Sequence, residues 1–122
     1  MAEGNCIILS GADELFLPAL TMGAGGSIGT TQNIMPKHFV ELHRTFLQGD
    51  LDKARRMQVQ ANRGIRELLG YGSGSAWKAV LKAQGFDCGP SRAPLKTLSE
   101  REEEALLERL EGLEGLSLSN VR

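Results

Sequence analysis

Two adjacent carboxylates, Asp13 and Glu14, follow directly on a short apolar run, Cys6-Ile7-Ile8-Leu9, which Ser10-Gly11 brings to an end. If that run is a strand of a parallel sheet, the pair lies at the strand's carboxyl end. Parallel α/β folds gather their ligand-binding groups there. Carboxylates so placed can accept hydrogen bonds from hydroxyl groups. They can equally open the helix that follows, because acidic side chains oppose the partial positive charge of a helix N-terminus. Residue types alone leave both roles open.

Other chemistry-bearing residues read more plainly. Gly23 to Thr30 is glycine-rich, but it lacks a Gly-Lys-Ser/Thr ending and precedes a strand rather than opening a helix, so it reads as turn plus strand. A Schiff-base lysine needs desolvation or a cationic neighbour. Lys37, Lys53, Lys78, Lys82 and Lys96 all read as solvated surface lysines. His38 and His43 stand five apart, off the four-residue spacing of helical metal pairs, and read as surface or interface residues. Cys6 reads as a buried inert thiol and Cys88 as a partly exposed loop thiol. They are far apart and match no metal spacing, which reads as reduced thiols in a cytosol-like, cytoplasmic compartment. Tyr71 is the only tyrosine and sits in a glycine-rich loop. Arg55-Arg56, Arg63 and Arg66 form a basic helix face, matched by the acidic Glu100 to Glu104 of the last helix.

The elements that must position these residues change character near residue 34. Before it, two short strands flank one helix. The first strand is the Cys6–Leu9 run, apolar on both faces as a covered parallel strand would be. The helix spans Leu15 to Met22, with Pro18 a turn inside and a first turn expected to be irregular. Gly23 ends it, and the second strand lies near Ser27 to Thr30. This is one βαβ unit, expected to be right-handed. From residue 34 on, the pattern is helical. Residues 34–48 carry the stripe Phe39, Leu42, Phe46 and Leu47. Asp50 caps a helix running to about Leu69, with Leu51, Ala54, Met57, Ala61, Ile65 and Leu68 on one face. After a Gly70–Gly74 loop, a shorter helix covers Ser75 to Gln84. Gly85 stops it, and Gly89 to Pro94 is an extended connection. A capping box at Ser99-Glu100-Arg101-Glu102 starts the last helix, which buries Leu106, Leu107, Leu110 and Leu113. The tail over 116–122 is expected to fray.

Composition narrows the class. The chain has 122 residues, 41% hydrophobic and 24% charged, with a net charge of -1. That supports one modest core and argues against disorder. It gives no reason to expect nucleic-acid or anionic-membrane binding. No apolar run reaches the length of a membrane span. Yet two parallel strands cannot make a stable sheet alone, since each leaves an unpaired edge. A (β/α)8 barrel needs about 250 residues. Either the strands pair with another chain or the sequence is part of something longer.

The stretches Gly11-Ala12-Asp13-Glu14 and Gly23-Ala24-Gly25-Gly26-Ser27-Ile28-Gly29-Thr30-Thr31-Gln32-Asn33 resemble the N-acetylneuraminate lyase and dihydrodipicolinate synthase family. The likeness continues through Gly49-Asp50-Leu51-Asp52-Lys53-Ala54, Lys78-Ala79-Val80-Leu81 and Arg92-Ala93-Pro94-Leu95, in order, from about Ile7 to Leu113. The resemblance implies a pyruvate-dependent class I aldolase fold, an α/β (β/α)8 barrel. The chain would be its C-terminal part: two parallel strands in residues 6–48, a helical extension over 49–115, and mostly helix by residue count, as a single partial domain. The family's Schiff-base lysine, its catalytic tyrosine and its threonine motif for the pyruvate carboxylate would lie upstream of this sequence.

By the same likeness, Asp13 and Glu14 resemble the pair that helps sialic acid lyases bind the hydroxylated tail of the sugar acid. Gly11 would allow close approach, Thr30 would do similar hydroxyl work, and Ile28 would sit beside the pyruvate. Gln32 departs from the tyrosine often found there in sialic acid lyases, and the Gly89–Leu95 stretch also resembles relatives acting on other hydroxy-oxo acids. The resemblance implies a small 2-oxo acid substrate, pyruvate or sialic acid-like, a homo-oligomer, and no metal or organic cofactor. The isolated chain would lack the catalytic Lys and Tyr and be inactive. The alternative is a non-catalytic half-barrel, starting at Met1, that associates with itself or with a separate N-terminal half.

Overall fold

The structure, a computed structural model, describes residues 6–114. The expected frayed tail lies outside them. Strand β1 spans Leu9–Ser10 and pairs in parallel with β2, Gly26–Ser27, in the register Leu9↔Gly26 and Ser10↔Ser27. Between them come a 3-10 turn, Asp13–Leu15, and helix α1, Phe16–Thr21. The irregular entry expected from Pro18 is that 3-10 turn. Gly23, at φ 92°, ends α1 in a conformation that favours glycine.

Four further helices follow: α2 at Pro36–Leu47, α3 at Leu51–Gly70, α4 at Ser73–Ala83 and α5 at Glu100–Glu111. Pro36 occupies the first helical position of α2, where its missing N–H costs nothing. Asp50 caps α3 by accepting from the Lys53 N–H. Ser99 and Glu102 complete the capping box of α5, each side chain answering the other's backbone N–H. Helix α3 is the spine, touching α1, α2, α4 and α5. Its inward stripe, Ala54, Ala61, Ile65 and Leu68, is fully buried, as are Leu42 of α2, Val80 of α4 and Leu106 and Leu110 of α5. Ala54 and Ala61 let α2 approach closely, so the larger side chains come from the partners.

Several expectations need correction. The strand expected over Cys6–Leu9 is shorter, and its side chains are not covered: Ile7 is 78% exposed, Ile8 70%, and Cys6 is exposed rather than buried. All five helices pack among themselves, and none covers that face of the strands. The second strand stops at Ser27 rather than Thr30; residues 28–30 lead from it into a 3-10 turn, Thr31–Asn33. Helix α2 therefore begins at Pro36, not residue 34. Leu47 and Leu51, placed on apolar stripes, are exposed at the α2–α3 turn. The loop expected over Gly70–Gly74 shrinks to Tyr71–Gly72, since α3 runs one residue further and α4 starts two earlier.

His38 is not a surface residue. It is buried between α2 and α3, with Nε2 2.8 Å from the Met57 carbonyl oxygen, so Nε2 carries the proton. Lys78 is not simply solvated; it is half-buried, and its Nζ donates to the Pro90 carbonyl at 2.9 Å and the Cys88 carbonyl at 3.3 Å, tying the extended connection to α4. The acidic start of α5 does not answer the arginines of α3. Glu102 and Glu103 pair with Lys96 and Lys82, which lie nearer in space.

The capping box also sets an acid response. The Lys96 ammonium, with the Ser99 N–H and hydroxyl, holds the Glu102 carboxyl at about 2. A carboxyl depressed in the folded state contributes stability above its unfolded pKa and loses it as pH falls toward the folded one. Helicity and thermal stability should therefore decline as pH drops from the ordinary carboxylate range toward 2, and Glu102→Gln should flatten that slope in circular-dichroism melts. Ser99→Ala should cost about 1 kcal/mol in urea denaturation.

Candidate functional site

Both strands end in turns that meet over their carboxyl ends. The meeting is made by Asp13. Its carboxylate is buried, and Oδ2 accepts from the Thr31 N–H at 2.9 Å and from the Thr31 hydroxyl. Oδ1 accepts from Gln32 Nε2 at 2.8 Å, and the same Nε2 reaches Ser27 Oγ at 2.7 Å. A buried carboxylate is tolerable only when its lone pairs are met in this way. The helix-capping role open from sequence does not hold for Asp13: the first 3-10 turn has no side-chain cap, and the carboxylate reaches across to the second turn instead.

The backbone of this corner is held from the other side by α3. Gln58 is buried; its Oε1 accepts from the Leu17 N–H at 2.8 Å, and its Nε2 donates to the Asp13 carbonyl at 3.0 Å and to Asn62 Oδ1 at 2.8 Å. Asn62 Nδ2 in turn donates to the Glu14 carbonyl at 3.3 Å. Polar residues of one helix face thus fix residues 13 and 14 through main-chain atoms, and leave the Glu14 carboxylate unengaged among the described residues.

A cleft of about 230 Å³ results, bordered by Gly11, Asp13, Glu14, Thr30 and Thr31 on the strand side and by Ile65, Leu69 and Trp77 on the helix side. Four of the five residues singled out in the sequence, Gly11, Asp13, Glu14 and Thr30, come together here. Ile28 does not; it is 71% exposed beside the strand, outside the cleft. Glu14 and Thr30 are both exposed, and the Thr30 hydroxyl makes no hydrogen bond among the described residues. The cleft therefore offers one free acceptor-only group and one hydroxyl that can donate or accept.

A second cavity, about 220 Å³ between α4, the extended connection and α5, contrasts with it. Its charged groups are already used: Lys78 by backbone carbonyls, Lys82 by Glu103, and Asp87 by the Gly89 N–H. Among the described residues no three His, Cys, Asp or Glu side chains gather as a metal site.

Sequence reading missed Thr31 and Gln58. Thr31 was hidden beside Thr30, and only a three-dimensional contact distinguishes them. Gln58 left a trace, as a polar residue on the stripe of Ala54, Ala61 and Ile65. Gly11 was credited with close approach, but a Cβ there would meet nothing within 4 Å. The glycine that the corner needs is Gly29, where a Cβ would fall inside the Asp13 carboxylate. Gly29→Ala should destabilise the chain by about 2 kcal/mol or more, while Gly11→Ala should stay within about 0.5 kcal/mol, both read from urea denaturation midpoints.

Comparison with known proteins bears on the chain as a whole. Residues 1–113 match the dihydrodipicolinate synthetase family. An N-acetylneuraminate lyase of Rhizobium meliloti (strain 1021) is 40% identical over 107 residues, 88% of this chain and 36% of the relative. A 4-hydroxy-tetrahydrodipicolinate synthase of Methanopyrus kandleri is 35% identical over the same shares. Among solved structures, Proteus mirabilis N-acetylneuraminate lyase superposes with a TM-score of 0.82 at 29% identity, over 88% of this chain and 36% of that one. A variant of Sulfolobus solfataricus 2-keto-3-deoxygluconate aldolase gives 0.82 at 27%, over 89% and 38%. The chain thus spans little more than a third of the length of these relatives, and its fold is part of a (β/α)8 barrel with a helical extension. It belongs to the dihydrodipicolinate synthetase family.

Proposed function

We propose that this chain is the C-terminal, substrate-tail-binding portion of a pyruvate-dependent class I aldolase acting on a hydroxylated 2-oxo acid. Residues 6–48 would close the barrel and residues 49–115 would form its helical extension. The observation that carries the reading is the unengaged Glu14 carboxylate beside the unengaged Thr30 hydroxyl, over the carboxyl ends of two parallel strands. Glu14 accepts hydrogen bonds from tail hydroxyls, and Thr30 donates or accepts beside it. Asp13, with its oxygens already committed, positions Thr30 rather than touching substrate. Gly11 leaves the cleft mouth open. Ile28 lines the pyruvate side once the rest of the barrel is present.

The reaction needs a lysine whose amine condenses with the 2-oxo carbon and releases water, forming the imine through which the carbon–carbon bond is cleaved or made. No lysine of this chain borders the cleft. Lys53, Lys82 and Lys96 are held in ion pairs with Glu41, Glu103 and Glu102, and Lys78 holds backbone carbonyls. On this reading, which follows the family resemblance, the nucleophile belongs to a part of the barrel upstream of these residues. A second reading draws on the exposed Ile7, Ile8, Leu9 and Ile28. Those side chains also suit a half-barrel that associates with a second copy or with a separate N-terminal half. Sedimentation tests both readings together: a monodisperse monomer counts against either picture.

Incubation with pyruvate and borohydride should leave the mass of the chain unchanged. A reduced adduct on any of its five lysines would overturn the assignment. Joined behind the preceding portion of the Rhizobium meliloti lyase, the chain should support N-acetylneuraminate cleavage. Glu14→Gln in that chimera should lower kcat/KM by about tenfold or more, the scale of one hydrogen bond to a charged group.

A further inference from the structure

Every buried polar side chain at the corner has its partners: Asp13, Thr31, Gln58 and, further along α2, His38. Among the described residues one buried side-chain polar atom does not, the indole Nε1 of Trp77. An indole N–H is a donor only, and a buried donor without an acceptor calls for an explanation. Trp77 stands on α4 and borders the cleft that holds Glu14 and Thr30, between the apolar side chains Ile65 and Leu69. No side chain or carbonyl among the described residues answers it there.

We infer that Trp77 is a specificity-determining residue of the cleft, its indole N–H reserved for an acceptor oxygen on the substrate's tail. The inference rests on the reading of this cleft as the tail-binding site and deepens it. Glu14 requires a donor from the ligand and Trp77 requires an acceptor, so together they select a tail carrying both. A hydroxyl or an N-acyl group does so, and pyruvate alone, without a tail, does not. The indole N–H is itself buried and the ring packs against the core, so donating to a ligand in the cleft requires the ring to turn about its side-chain torsions.

Trp77 is the only tryptophan of the chain, so its indole gives one unambiguous signal. The 122-residue protein, labelled with nitrogen-15, is titrated with N-acetylneuraminate, with 2-keto-3-deoxygluconate and with pyruvate. The indole proton is expected to move downfield and saturate with at least one tailed acid, together with the Glu14 and Thr30 amides, and to stay in place with pyruvate. Trp77→Phe is expected to weaken the tailed acid at least fivefold by calorimetry. A saturating shift at Glu14 and Thr30 with a stationary indole signal overturns the inference and leaves the tail-binding reading standing. No saturable shift at any of the three positions overturns both. The indole signal decides the matter even if the phenylalanine variant fails to fold.

Discussion

The corner of this molecule hangs on one buried carboxylate. Asp13 follows the first strand, yet both of its carboxylate oxygens accept from Thr31 and Gln32, beyond the second. An ionised group out of water is stable only with such partners, and removing any of them exposes the full desolvation cost. The constraint spreads outward. Gly29 must lack a side chain because the carboxylate occupies its place. Thr31 must give its N–H to Asp13, so the second strand ends early and a 3-10 turn begins. That turn sets where α2 starts.

The helices answer from the other side. Gln58 and Asn62 lie on the face of α3 turned toward the first turn and hold it by its main chain. This leaves the Glu14 side chain free of structural duty, in the way that a second layer of contacts supports a functional group elsewhere. Adjacent acidic residues thus divide their labour: Asp13 is inside and committed, Glu14 outside and available. The difference is one of burial and partners, not of residue type.

Much of this was legible in the sequence. Glycine and proline punctuation placed the helix ends near Gly23, Gly49 and Gly85, and the capping box at Ser99–Glu102 announced α5. The apolar stripes of α3 and α5 followed helical periodicity. His38 was readable too, since it shares a face with Leu42 and Thr45, but its polarity argued for the surface. What the sequence could not carry were contacts between residues far apart in the chain. Asp13 to Thr31, Gln58 to Leu17 and Lys78 to Pro90 depend on packing that no local pattern encodes. The strands were misjudged for a related reason. An apolar β-branched run signals burial, but here no element among the described residues covers Ile7 and Ile8.

The spacing of these contacts along the chain also bears on the order of folding. Helices α2 to α4 are joined by short turns, so they close small loops at little entropic cost and can form early. The cleft is different. Its two turns must meet across 18 residues, and Gln58 must reach back 45 to the Asp13 carbonyl. The second contact requires α3 to be in place first. On this spacing the helical hairpin of α2 and α3 forms before the corner that borders the cleft.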